Sequence, residues 1–155
     1  MNKFVKQGLI FGLIATAVMT VIMLIGKATG MSPIPKPIPI AIAASITGGA
    51  PKPVLMILGM LAHFAYGGVA GIIFFSIIKE RGTLLWSLGF GALLWLIMQL
   101  IVLPFLGWGV FGSSITPKIA VATLVLHLIY GAILGLGFKK LKVTASPDVS
   151  NSNMK

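Results

Sequence analysis

Four stretches of predominantly apolar residues, at about 5–26, 54–78, 84–106 and 117–138, set the terms for everything else in this chain. Each is long enough for a helix to cross the ~30 Å hydrocarbon core of a bilayer, which takes ~20 residues. Inside hydrocarbon the backbone must satisfy its own hydrogen bonds, so stretches of this length are expected as helices. Only 9% of the residues are charged, against the ~25% usual in soluble domains. The expected fold class is an all-α membrane protein with four transmembrane helices, its membrane domain covering 1–142. The Ser/Asn-rich segment 143–155 is expected to be a disordered cytoplasmic tail.

The connections differ in character. After the first span, Pro33, Pro35, Pro37 and Pro39 remove alternate backbone donors and predict an extended course. The apolar residues 40–46 can form a short helix, and Gly48, Gly49, Pro51 and Pro53 break the chain before the second span. This Pro-rich outer loop is expected to cover the bundle, either as a lid or as a re-entrant element. Lys79-Glu80-Arg81-Gly82 is a short polar turn. Pro104 lies near the end of the third span, and Trp108 and Phe111 suit an interfacial belt. Thr116 and Pro117 have the chemistry of a helix start. Lys3 and Lys6 before an apolar run resemble a signal peptide, but the run exceeds a signal core and no small-x-small cleavage site closes it, so it reads as a retained span. With both termini inside, Lys3, Lys6, Lys79, Arg81, Lys139, Lys140, Lys142 and Lys155 face the cytoplasm, against Lys27, Lys36, Lys52 and Lys118 outside. The excess of basic residues favours that orientation.

Several function classes have little support. The net charge of +10 is scattered at the ends of apolar segments, with no basic stripe for nucleic acid. The chain has no cysteine, which excludes disulfides and thiolate chemistry. Its two acidic residues, Glu80 and Asp148, fall in a turn and a tail, so no carboxylate pair or Ser-His-Asp set serves catalysis. No enzyme and no metal site is expected, since two histidines fall short of the three or four ligands zinc or copper normally takes.

Those two histidines sit in a repeated motif, His63-x-x-Tyr66-Gly67-x-x-x-Gly71 and His127-x-x-Tyr130-Gly131-x-x-x-Gly135. Setting Gly12 against Gly91 also pairs Met19 with Met98 and Thr20 with Gln99. Two spans per unit imply two tandem helical hairpins in parallel orientation. Helical spacing puts His63, Gly67 and Gly71 on one face, and His127, Gly131 and Gly135 on another. Gly8, Gly12, Gly67, Gly71, Gly131 and Gly135 are therefore the expected packing residues, since small side chains let helices approach closely in lipid. Mid-span polar groups usually face a bundle interior. His63, Tyr66, His127, Tyr130, Thr20 and Gln99 form the candidate buried polar site, with Thr20 and Gln99 as partners for the histidines. Three readings remain open: a self-associating or accessory packing unit, a small transporter or channel for a neutral or lipid-like solute, and a haem protein with His63 and His127 as axial ligands. The expected partners are the lipid bilayer and a homo-oligomer or larger membrane complex.

The run from Gly12 to Thr20, Met31-x-Pro33, His63-Phe64, Tyr66-Gly67, Pro104-x-x-Gly107-x-Gly109-x-Phe111 and His127-Leu-Ile-Tyr-Gly131 together resemble a family of small, uncharacterised four-span membrane proteins of bacteria and archaea. The second half is more distantly similar to the YagU-type inner-membrane proteins. The resemblance implies a prokaryotic cytoplasmic membrane and four helices, and it implies no activity or cofactor.

Overall fold

The computed structural model describes residues 2–145, which form helices and short connections with no strand among them. The helices are α1 (Lys3–Ala28), α2 (Ile38–Thr47), α3 (Lys52–Ile78), α4 (Leu84–Phe105) and α5 (Lys118–Ala145). α1, α3, α4 and α5 are each long and apolar enough to cross a membrane, and they begin and end close to the stretches marked out by hydropathy. α5 continues through Ala145, three residues into the segment expected to be a disordered tail. The rest of that segment, 146–155, lies outside the described residues.

α1 packs on α3, α4 packs on α5, and α1 also packs on α5 to join the two pairs. The start of α1, the end of α3, the start of α4 and the end of α5 lie together at what we call the terminal end. Glycine seams hold each pair. A Cβ on Gly8 would stand 2.6 Å from the carbonyl oxygen of Gly71, and one on Gly71 would strike the backbone of Gly8 and Gly12. In lipid, where no hydrophobic force draws helices together, such backbone proximity maximises dispersion contact. In the second pair Ser87 lies against Gly131 and Gly135, while Gly91 abuts the His127 carbonyl. Gly12, by contrast, lies between Gly67 and Gly71. The two seams are thus one helical turn out of step with the alignment of Gly12 on Gly91, and Ser87 occupies the place of Gly12.

Aromatic rings fill the terminal end. Phe75 stacks on Phe138 at 4.0 Å, Phe74 meets Phe138 edge-on at 5.4 Å, and Phe90 stacks on Phe74 at 4.8 Å. Phe11 lies parallel to Phe75 on the α1 side. These rings belong to the principal core, with Ala15, Ala70, Leu94 and Leu134. Gly82 and Gly137 leave room for two of the rings, since a Cβ at either would press into Phe138 or Phe11.

The opposite, loop end is built around α2. Pro37 caps this helix and Pro39 occupies its first turn, where a missing N–H costs nothing. The extended, proline-blocked course therefore ends at Pro37, and the helix starts two residues before the apolar stretch that predicted it. α2 lies close on α3 because Gly59 has no side chain: a Cβ there would sit 2.9 Å from the Ile40 nitrogen. Ile34, Ala41, Leu103, Trp108 and Ile119 form a second core beneath it. Trp108, expected at a surface belt, is buried there, while Phe111 stays exposed and lies against Trp95. The connection 107–112 is a set of tight turns, with Phe111 itself at φ 55°, a left-handed conformation uncommon for a non-glycine residue.

α4 carries a feature that hydropathy does not signal. From Met98 to Val102 it widens into a π-turn, and the Leu103 N–H bonds back to the Met98 carbonyl. Pro104 has no N–H, and its ring would clash with the carbonyl one turn back. A wider turn accommodates it, consistent with the usual cause of such irregularities in helices. The consequence is local: Met98 and Gln99 are both turned into the bundle.

Candidate functional site

Between the phenylalanine cluster and α2 lies a cavity of about 270 Å³. All four spanning helices contribute to its wall, and Ile34, Ile38, Pro39 and Ile42 form its roof. Met19 and Met23 of α1 and Met98 of α4 give it flexible, polarizable sides that adapt to irregular apolar shapes. The polar side chains in its lining are His63 and Tyr66 of α3, Thr123, His127 and Tyr130 of α5, and Thr16 of α1. The four residues of the repeated motif thus meet in one chamber.

They are not equivalent within it. His127 is buried, and its Nδ1 lies 2.8 Å from the Thr123 carbonyl oxygen one turn back. A carbonyl can only accept, so Nδ1 carries the proton and donates. In a neutral imidazole that leaves Nε2 as a bare acceptor. His63 is half-buried and makes no hydrogen bond among the described residues. Tyr130 is buried and donates its hydroxyl to the Gly67 carbonyl on α3, tying the two hairpins together across the bundle. Tyr66 of α3 and Ile97 of α4 both line the cavity and are 51% and 41% accessible. α3 and α4 share no extensive contact beyond the Phe74–Phe90 stack, so the cavity opens sideways between them.

Thr20 and Gln99, expected as partners of the histidines, are both buried but do not line the cavity and do not bond either ring. Gln99 instead donates from Nε2 to the Thr123 hydroxyl at 2.9 Å, and that hydroxyl donates on to the Ile119 carbonyl at 2.7 Å. Gln99 Oε1 and Thr20 Oγ1 find no partner among the described residues. Thr123 was not singled out by the sequence, though its position four residues before His127 is the spacing at which side chains meet a backbone carbonyl within a helix. Of the glycines chosen for packing, Gly8, Gly12, Gly67, Gly71 and Gly131 sit against backbone or a threonine of the neighbouring helix, and Gly135 meets Ser87 and Leu84.

Replacing Tyr130 with phenylalanine tests the cross-bundle tie. Loss of one interhelical bond in a membrane costs between about 0.6 and about 1.7 kcal/mol. Tyr130→Phe is expected to lower unfolding free energy by that amount in an SDS titration followed by circular dichroism. No loss would mean that Gly67 is held by packing alone.

A model described as a family of unknown function, DUF6789, matches residues 1–149. The chain belongs to that family. No curated protein and no solved structure matches this DUF6789 member. The family brings no activity with it, so the site must be read from its own chemistry.

Proposed function

We propose that this DUF6789 protein binds a small, neutral, lipid-like molecule that enters its cavity sideways from the bilayer. The observation that carries this is the shape of the chamber: floored by Thr16, Gly67 and Tyr130, roofed by α2 at the other end, and open between α3 and α4. A channel would need a polar path through the bundle, whereas this wall is apolar except for its histidines, tyrosines and threonines. Transport of such a molecule is the dynamic version of the same reading. Haem fits less well, because the lining contains no lysine or arginine to meet the propionates.

We place the protein in a prokaryotic cytoplasmic membrane with the terminal end inside. The eight basic residues on that side against four on the other support this orientation. The shared histidine motif supports descent of the two hairpins from a duplicated unit, with Ser87 marking where they diverged. Purification in mild detergent, followed by native mass spectrometry, tests the binding reading. A discrete adduct released by organic solvent is expected. A protein that carries none, and takes up none from a total lipid extract, would leave a packing unit as the better account. Absorption spectra with and without added haemin decide the haem alternative: a Soret band lost in the His63→Ala, His127→Ala double variant would establish it.

A further inference from the structure

Resting on that binding reading, we infer that the bound molecule carries a single hydroxyl, of an alcohol or a phenol, held between His63 and His127. The chemistry follows from what the two rings still need. The Thr123 carbonyl fixes the proton of His127 on Nδ1, so Nε2 can only accept. His63, on the other wall of the same cavity, has no hydrogen-bond partner among the described residues and keeps an N–H to donate. One group that donates to His127 and accepts from His63 would satisfy both rings. A hydroxyl does both through a single oxygen. An ether or ketone can accept only, and would leave His127 unpaired in a low-dielectric chamber, which is costly. An ammonium can donate only. An anionic head would be buried with no lysine or arginine in the wall to neutralise it.

Neighbouring groups narrow the choice further. The Tyr130 hydroxyl is committed to Gly67, and the Thr123 hydroxyl is committed to Ile119. Neither has a hydrogen left to donate to a second ligand oxygen. The methionines and the isoleucine roof take the hydrocarbon part, and Tyr66 stands where that part leaves the chamber for the bilayer.

The test uses the full-length protein in lipid nanodiscs, labelled with ¹⁵N-histidine, and two probes of nearly equal shape: geraniol and geranyl methyl ether. Both are compared at equal mole fraction in the bilayer. Geraniol is expected to bind about tenfold more tightly, the effect of one hydrogen bond to a buried acceptor. It should also shift the non-protonated Nε2 resonance of His127, while the ether leaves that resonance in place. His127→Leu should bring the alcohol down to the affinity of the ether. Equal binding of both probes with an unmoved Nε2 would overturn the hydroxyl assignment and leave the cavity reading standing. Failure of both probes to bind would remove the cavity reading, and the assignment with it. The resonance measurement is made on the unaltered protein, so it holds even if the variant does not fold.

Discussion

Gly71→Leu is expected to destroy the α1–α3 pairing and, with it, the folded protein. A Cβ at position 71 already collides with the backbone of Gly8 and Gly12, and backbone cannot rotate out of the way as a side chain can. The helices would have to separate along the seam that carries their dispersion contact. Overpacking a closed core costs about 1–3 kcal/mol, and a clash against two backbone segments places this change at or above the upper end. Gly89→Ala is the matched comparison, since nothing lies within 4 Å of a Cβ there. It should hold or gain up to about 1 kcal/mol, because alanine is the better helix former. Unfolding both variants in SDS would show the contrast directly. Equal midpoints for the two would mean that the seam contributes little.

The second large effect concerns binding and leaves the fold intact. Ala62 lines the cavity from α3, four residues before Tyr66 and on the same face, and it is itself exposed at the opening. Ala62→Trp would fill the gap between α3 and α4 with an indole. Because the position is exposed, the larger side chain meets no core and stability should change by less than about 0.5 kcal/mol. Retention of the lipid-like ligand should fall at least about tenfold, since its entry path and part of its volume are gone. Native mass spectrometry of variant and parent, purified side by side, measures this. Undiminished retention would show that ligands enter elsewhere.

Hydropathy made the four spans legible because a bilayer imposes a length and a composition at the same time. The histidine motif was equally legible, as two mid-span polar residues in matching context, and the structure brings both copies to one cavity. What was not legible depended on geometry between helices. Ser87 stands in the second seam where an alignment by glycine would put Gly91, because a small polar residue packs as closely there as glycine does. Thr123 was invisible as the partner of His127, since the bond is made by its backbone carbonyl, which every residue possesses. Gln99 is interior as its polarity predicted, but its bond to Thr123 in place of a histidine, and the π-turn at Met98–Val102 ahead of Pro104, were not visible in the sequence. Trp108 had the composition of a belt residue, and only the fold of α2 over the loop end buried it.

The ring cluster at the terminal end also limits what the molecule can be asked to do. Beyond the cavity floor of Thr16, Gly67 and Tyr130 the bundle is filled by Phe74, Phe75, Phe90 and Phe138, so a bound guest would leave by the gap through which it came. In this conformation a gradient between the two sides of the membrane has nothing to push through. Occupancy would then follow the abundance of the guest in a single leaflet, the one level with the α2 roof. On the proposed binding reading, such a protein would serve as a gauge or a reserve for that leaflet, filling as the guest accumulates and emptying as it is consumed.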